Sequence, residues 1–176
     1  RKKTILILGL LLIMVFSSVT VFRNKYYKNK INFWKNAVAT SPSFAFNYNN
    51  LGAMYYLDGN YDLAEKEFKK ALELNPREKL SHNNLGLIYA SREDFESAIK
   101  EYEAELKINP YYGNALYNTG LAYWNMGKKD EAVKKWEETI AANHDYFDAY
   151  RSLIIYYQEK GDTKTAGSYY SILKKR

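Results

Sequence analysis

The stretch that decides the fold is residues 48–76, YNNLGAMYYLDGNYDLAEKEFKKALELNP. Its apolar and small residues recur at helical spacing in two segments. Gly59 lies between these segments, at a point where a left-handed residue commonly ends a helix. The pattern recurs every 34 residues and occurs four times in the chain. This period predicts a stack of helical hairpins, because one hairpin alone cannot bury its apolar face.

The repeated positions hold small side chains and rings, as the close packing of two helices requires. We expect the small residues to let neighbouring helices approach and the rings to fill the remaining space. The markers are Tyr48, Leu51, Gly52, Tyr55, Ala64, Phe68, Ala71 and Pro76; then Leu85, Gly86, Tyr89, Ala98, Tyr102 and Pro110; then Gly120, Tyr123, Ala132 and Trp136; and finally Leu153, Tyr157, Ala166 and Tyr170. Gly127 and Gly161 repeat the turn position of Gly59.

Some positions depart from the pattern, and each departure predicts a local irregularity. Thr119 replaces leucine, Glu105 replaces a small residue of the second helix, and His144 replaces proline. We therefore expect the third repeat and its junctions to be the less regular part of the fold. Ile154 stands where glycine is expected, which predicts an atypical terminal repeat.

This pattern resembles the tetratricopeptide repeat (TPR). The resemblance implies an all-α solenoid of about 3.5 to 4 repeats over residues 45–176, divided at 45–78, 79–112, 113–146 and 147–176. Upstream, Trp34, Ala37 and Pro42 fall in the same phase as second-helix markers. Residues 24–44 are therefore predicted to hold a connecting half-repeat helix that docks on the first repeat.

The N-terminal part contains a long apolar segment. Thr4–Phe22, TILILGLLLIMVFSSVTVF, is a run of nineteen residues without a charge. As a helix it would be about 28 Å long, close to the roughly 30 Å of a bilayer core. Basic residues flank both ends, so residues 1–23 are predicted to form one transmembrane anchor.

Two alternatives to the anchor remain open. The first is a cleaved signal peptide, because Arg1, Lys2 and Lys3 resemble the charged start of such a peptide. The second is a buried core helix, although such helices usually carry a polar stripe. Charge does not decide the orientation in the membrane, because basic residues lie on both sides of the run.

The formal charge of +6 belongs to the N-terminal part of the chain. Seven of the 26 Lys and Arg residues lie in residues 1–30, which contain no acid, so the rest of the chain holds 19 basic and 20 acidic residues. A nucleic-acid footprint would require basic residues on the binding face. We therefore expect no nucleic-acid partner. The chain has no cysteine, which excludes disulfides and thiolate metal sites.

The sequence carries no catalytic motif that we recognise: no phosphate-binding glycine loop, dinucleotide fingerprint, HExxH or nucleophile elbow. Its two histidines, His82 and His144, share no spacing that would indicate a metal site. We predict no enzymatic activity, no cofactor and no metal. The expected partner is a protein or an extended peptide.

Asn50, Asn84 and Asn118 recur at the spacing of the repeats. A primary amide can both donate to and accept from a peptide backbone, so this series predicts a groove that holds an extended chain. The alternative is that these amides bond within or between the first helices. The same groove is predicted to contain Asn83, Tyr56, Leu87, Leu121 and Trp124.

The asparagine series is similar to that of the O-GlcNAc transferase TPR superhelix, which implies peptide capture in the groove. Other TPR domains hold acidic C-termini in a basic clamp. This chain lacks the clamp, and we expect a different ligand. The corresponding region is lined by Phe46, Asn49, Leu80, Asn114 and Tyr117.

A second resemblance concerns the junction between the apolar run and the repeats. It rests on Arg23-Asn24, Phe33-Trp34, Ala37, Ser41-Pro42 and Asn50-Leu51-Gly52. These residues resemble the boundary between the last membrane helix and the TPR tail of O-mannosyltransferase-like membrane glycosyltransferases. In that family the catalytic acids lie in a large membrane portion that this sequence does not contain. The resemblance implies that the repeats face away from the cytoplasm.

The leading hypothesis is a membrane-anchored interaction scaffold that binds a polypeptide in its groove, as a subunit of a larger membrane complex. One alternative is the C-terminal tail of a polytopic membrane glycosyltransferase, which would select protein acceptors. Another is a structural subunit whose convex face and membrane helix pack into a complex and leave the groove empty.

Overall fold

In a computed structural model of the chain, residues 19–20 and 25–174 are described, and they form helices and turns without a strand. Helix α1 covers residues 25–40. The other helices are α2 Ala45–Leu57, α3 Tyr61–Leu74, α4 Ser81–Ser91, α5 Phe95–Ile108, α6 Gly113–Asn125, α7 Lys129–Ala142, α8 Phe147–Glu159 and α9 Thr163–Lys174.

The predicted membrane segment, Thr4–Phe22, lies outside the described residues except for residues 19–20. Within 19–20 and 25–174, no helix combines the length and the apolar character that a bilayer crossing requires.

The chain divides into two compact units, Arg1–Pro76 and Arg77–Arg176. In the first unit α2 packs against α3, and α1 packs through Ile31, which is buried. Asn47 on α2 donates from Nδ2 to the Ala37 carbonyl oxygen of α1 at 3.0 Å. In the second unit each helix from α4 to α9 packs against the next, and α4 also contacts α6. Three helical hairpins are therefore stacked in this unit.

Each of the first three hairpins is closed by a glycine on its first helix and a buried ring on its second. A Cβ atom built on Gly52 would lie 2.8 Å from the Phe68 ring. One built on Gly86 would lie 2.5 Å from Tyr102 Cε1, and one on Gly120 would lie 2.6 Å from Trp136 Cδ1. Ordinary van der Waals contact needs more than 3.4 Å, so only glycine fits. The packing role predicted for these glycines is confirmed.

The fourth hairpin uses a different ring. Ile154 occupies the glycine position, and Tyr170, the marker expected to pack against it, is 60% exposed. The neighbouring Tyr169 packs instead, with its ring centroid 5.9 Å from Tyr157 and 6.2 Å from Tyr150. The prediction that Tyr170 fills this hairpin is wrong. The physical reason is that the Ile154 side chain takes up the space that a glycine would leave for a ring.

The third repeat and its junctions were expected to be the less regular part, and Trp136 Nε1 on α7 is indeed buried with no hydrogen-bond partner among the described residues, but the helices of this repeat are regular. Its helices α6 and α7 have 13 and 14 residues, the same lengths as α2 and α3. Thr119 is fully buried, and its hydroxyl donates to the Ala115 carbonyl oxygen at 2.7 Å. This bond satisfies the polar group within its own helix, so the replacement of leucine leaves the helix intact.

The irregular hairpin is the second. Helix α4 has 11 residues, and its N-cap residue, Leu80, has φ +70°. The turn between α4 and α5 contains Glu93 at φ +62°, where the other hairpins have Gly59, Gly127 and Gly161 at φ +84°, +75° and +79°. The left-handed conformation predicted for these glycines is confirmed. A side chain in that conformation costs about 1 to 2 kcal/mol, so Glu93 stores strain.

Glu93→Gly should therefore raise the free energy of unfolding by about 1 kcal/mol, because glycine relieves the left-handed strain and loses part of the gain to backbone entropy. The measurement is urea unfolding followed by circular dichroism. Gly127→Ala is the matched control, and it should lower the midpoint because it introduces a Cβ at the same turn position. A lower midpoint for Glu93→Gly would contradict this account.

A second feature that lowers the stability of the fold lies inside the second hairpin, at Glu105 on α5. This side chain is fully buried, and neither carboxylate oxygen has a hydrogen-bond partner among the described residues. The equivalent positions hold Ala71 and Thr139, which are also fully buried. Burial of a polar group without a partner is unfavourable, so the core tolerates Glu105 at the expense of stability.

Glu105→Met should raise the free energy of unfolding by about 1 to 3 kcal/mol, because methionine fills a similar volume with no oxygen to satisfy. Glu105→Gln is the control, and it should gain much less because the amide still requires partners. Thermal and urea unfolding of both variants provide the measurement. A midpoint for Glu105→Met at or below that of the unchanged chain would show that the buried carboxylate is not the source of the cost.

Candidate binding surface

The first helices of the second unit carry two rows of side chains at the repeat period. One row is polar and holds Asn84, Asn118 and Ser152. The other is apolar and holds Leu87, Leu121 and Ile155. The rows are three residues apart on each helix, so they lie on the same helix face. We call them the polar row and the apolar row.

The side chains of both rows reach the surface. Ile155 is 52% exposed, and the other five residues are half-buried. A branched apolar side chain exposed beside half-buried leucines forms a surface that water solvates poorly. Neither Ile155 nor Ser152 was among the residues predicted for the groove. The continued 34-residue spacing from Leu121 and Asn118 was the signal that identifies them.

Hydrogen bonds join the first helices at this surface. Asn118 on α6 donates from Nδ2 to Asn83 Oδ1 on α4, at 3.3 Å. The hydroxyls of Tyr117 on α6 and Ser152 on α8 lie 3.3 Å apart. Both pairs are separated by 35 residues, so the same contact recurs between successive repeats. Both distances exceed the usual range for their bond types, which indicates weak bonds.

For Asn118 the structure therefore shows a bond between first helices, the alternative that the sequence left open. Asn50 donates from Nδ2 to the Phe46 carbonyl oxygen of its own helix at 2.7 Å. Asn84 also has a partner within the protein. An asparagine side chain has two donor hydrogens and an acceptor oxygen, so one internal bond still leaves capacity for a ligand.

The predicted groove residues fall into both compact units. The second unit brings together Asn83, Asn84 and Leu87 on α4 with Asn118, Leu121 and Trp124 on α6. Asn50 and Tyr56 lie on α2 in the first unit. Tyr56 is half-buried beside the Tyr61 ring, at a centroid distance of 5.3 Å. Burial, and to a lesser degree Tyr61, raises the pKa of the Tyr56 hydroxyl.

Trp124 lies at the end of the surface, where α6 and α8 meet α7. Its ring centroid is 5.4 Å from that of Trp136 and 6.4 Å from that of Tyr156. Lys129 Nζ lies 4.5 Å from the Trp124 centroid and 2.7 Å from a Glu159 oxygen. An open cleft of about 430 Å³ begins here. The cleft is lined by Lys129, Asp130, Tyr156, Glu159 and Lys160, two basic and two acidic residues around a phenol.

The opposite end, at the start of α6 and α8, presents amide and phenol side chains where a basic clamp would lie, with Asp148 and Arg151 of α8 paired to each other at 2.8 Å. Tyr146 donates from its hydroxyl to Asn114 Oδ1 at 3.0 Å, and Asn114 Nδ2 donates to the Tyr112 hydroxyl at 3.0 Å. Burial, followed by Tyr117, Asp148 and Tyr112, raises the pKa of Tyr146 to about 12. Tyr146 is therefore neutral at physiological pH.

No group of three or more His, Cys, Asp or Glu side chains suited to a metal occurs in the part of the chain that the structure describes. His82 on α4 faces Glu101 on α5, with Nδ1 and Oε2 2.7 Å apart, and both side chains are mostly buried. Because each of these groups has the other as a partner, we interpret the pair as a contact between the two helices of the hairpin.

Comparisons with known protein families agree with the repeat pattern seen in the sequence. Two family models described as tetratricopeptide repeat match residues 43–109 and 117–176. No curated protein sequence matches the chain.

Solved structures show the same fold. A crystal structure of MamA has a TM-score of 0.74 at 26% identity, covering 85% of this chain and 88% of that chain. PilF of Pseudomonas aeruginosa has a TM-score of 0.79 at 18% identity, covering 89% and 72%. The first TPR domain of Spaghetti (RPAP3), bound to the HSP90 peptide SRMEEVD, has a TM-score of 0.63 at 23% identity, covering 66% and 93%.

Proposed function

We propose that this chain, whose residues 43–109 and 117–176 are tetratricopeptide repeats, is a membrane-anchored scaffold that binds a partner polypeptide on the first helices of its repeats. It acts as a subunit of a larger membrane complex. The repeat architecture supports a role in protein interaction, and nothing in the described residues points to catalysis.

The observation that carries the proposal is the pairing of the polar row with the apolar row. An extended peptide presents backbone amides and side chains in turn, and the two rows offer amides and apolar contacts side by side. Asn83 is buried, so Asn118 would keep its bond to Asn83 and use its second amide hydrogen and its oxygen for a ligand, whereas the long Tyr117–Ser152 bond can exchange for a bond to the ligand. The peptide complex of the RPAP3 domain supports the idea that a fold of this kind holds a peptide.

The expected ligand differs from an acidic C-terminus. The start of the surface in the second unit holds Asn114, Tyr117 and a neutral Tyr146, which offer no positive charge to a carboxylate. We infer an internal, extended segment with apolar side chains. Such a ligand would be recognised through its backbone by amides and through its side chains by Leu87, Leu121 and Ile155.

The membrane anchor is Thr4–Phe22, which lies almost wholly outside the described residues. The support for it comes from the length of the uncharged run and its basic flanks. We propose a single-pass anchor, with the repeats on the extracytoplasmic side as the junction resemblance implies.

An alternative is the acceptor-selecting tail of a membrane glycosyltransferase. The observation that favours it is the close packing of α1 on the first repeat, through buried Ile31 and the 3.0 Å bond from Asn47 to Ala37. A catalytic membrane portion would need such a stiff junction to present its acceptor. The coding sequence upstream of Arg1 discriminates, because an initiator codon within a few residues would exclude this reading.

Capture at the two rows is tested by site-specific photocrosslinking of the full chain in its native membrane. A benzoylphenylalanine at Leu121 should crosslink to a partner. The matched control is the same residue at Lys134, an exposed position on α7, and it should give no such crosslink. A partner crosslinked equally from both positions would contradict binding on the first helices.

The combined Asn84→Ala and Asn118→Ala change should weaken partner binding by about thirtyfold and lower the Leu121 crosslink yield accordingly, because two hydrogen bonds to the ligand are worth roughly 1 kcal/mol each. The melting temperature should barely move, since the Asn83–Asn118 bond is long and half-buried. Loss of the fold instead would show that the asparagines are structural. An unchanged yield with an intact fold would show that they do not touch the partner.

A further inference from the structure

Four aromatic side chains of the first unit form a continuous strip. The ring centroids of Phe33 and Trp34 are 5.0 Å apart, those of Trp34 and Phe46 are 5.8 Å apart, and those of Phe46 and Phe44 are 5.9 Å apart. Three of these rings are open to solvent, with exposures of 61% for Phe33, 57% for Phe44 and 45% for Phe46. We call these four residues the aromatic strip.

Helix α1 extends the strip. Its buried side carries Ile31 and the half-buried Trp34, which hold it on the first repeat. Another side carries Tyr26, Lys30 and Phe33, whose i, i+4, i+7 spacing places them on one helix face. Tyr26 is 51% exposed, and Lys30 Nζ lies 5.7 Å from its ring centroid. The exposed face of α1 therefore combines rings with positive charge.

The segment that carries the strip is basic in sequence, and Glu67 of α3 is an acidic group whose charge interacts with that of Lys35 on α1. No acidic residue precedes Asp58 in the sequence, whereas α1 alone contains Lys25, Lys28, Lys30 and Lys35. Lys25, Lys28 and Lys30 are exposed. A second copy of this chain would bring like charges together at the strip. An anionic surface would be attracted to it.

We propose that the aromatic strip, together with Tyr26 and Lys30 of α1, rests on an anionic lipid surface, so that α1 lies along the membrane. Aromatic rings favour the interface between headgroups and hydrocarbon, and lysines favour anionic headgroups. An upright α1 would lift Phe33 about 12 Å above Lys25, which is beyond the headgroup layer. Contact at Phe33 and Phe44 therefore requires a helix that lies flat, which sets how the first repeat is presented. This inference rests on the proposed anchor, which brings the strip to the bilayer.

The absence of cysteine makes the contact measurable with single nitroxide labels on the full chain. The labelled variants are Phe33→Cys and Phe44→Cys, with Asn32→Cys as the matched control on the same helix. Asn32 is exposed, lies next to Phe33 in sequence and points away from the face of Tyr26 and Phe33. The chain is placed in nanodiscs of phosphatidylcholine, with or without phosphatidylglycerol. Label collisions with oxygen and with a water-soluble nickel chelate report lipid and water contact.

The labels at positions 33 and 44 should be in lipid contact in discs with phosphatidylglycerol, and the label at 32 should be in water. Replacing Lys30, which shares the face of Tyr26 and Phe33, with Gln should lower the ratio of lipid-contacting to water-exposed chains by roughly fivefold. The same labels should show weaker lipid contact in discs of phosphatidylcholine alone.

Three results would overturn the proposal. Labels at 33 and 44 that are as water-exposed as the label at 32, on chains that co-purify with the discs, would remove the strip contact and leave the anchor standing. Such a result would favour a protein partner for the strip. Equal lipid contact in discs with and without phosphatidylglycerol would show that anionic headgroups do not attract the strip, which contradicts the proposal. A chain recovered free of the discs would overturn the anchor and this inference together.

Discussion

The contact on which the hairpins depend is that between a glycine on the first helix and a ring on the second. At Gly52, Gly86 and Gly120 the facing ring lies closer than a Cβ atom would permit. The rings are almost fully buried, at 0% exposure for Phe68, 1% for Tyr102 and 2% for Trp136. Loss of a buried ring of this size typically costs about 3 to 5 kcal/mol, which is large beside the stability of a small domain. The fourth hairpin lacks the glycine and has Ile154 in its place. Its marker ring, Tyr170, is exposed, and Tyr169 packs instead.

The surface follows from that packing in the second unit. Once the hairpins stack at a constant period, residues 34 apart on α4, α6 and α8 occupy equivalent positions and form rows. The bond from Asn118 to Asn83 and the bond between the Tyr117 and Ser152 hydroxyls then connect neighbouring first helices at the rows. Asn118 and Ser152 of the polar row therefore take part in bonds between first helices, and the proposed ligand would meet them there.

Charged residues are distributed unevenly along the chain. The acid-free stretch before Asp58 contains the apolar run, α1 and α2, and the rest of the chain is nearly neutral. The exposed rings Phe33, Phe44 and Phe46 lie within that stretch, whereas the polar and apolar rows lie beyond it. The proposed lipid contact and the proposed polypeptide contact thus involve different segments of the chain. The two can be removed independently by substitution.

By itself the sequence determined the helical hairpins, their number and period, the glycines that admit the rings, and the left-handed turns at Gly59, Gly127 and Gly161. These features follow from spacing within the chain, which a periodic pattern records directly. It also placed Asn84, Asn118, Leu87 and Leu121 on one surface. Only the tertiary structure decided that Glu93 adopts the left-handed conformation without glycine and that Glu105 is buried with no partner among the described residues. It alone decided that Tyr169 replaces Tyr170 and that Asn118 bonds to Asn83. The reason is that a pattern reports one helix at a time, whereas burial, strain and hydrogen-bond partners depend on which atoms a second helix brings within a few ångströms.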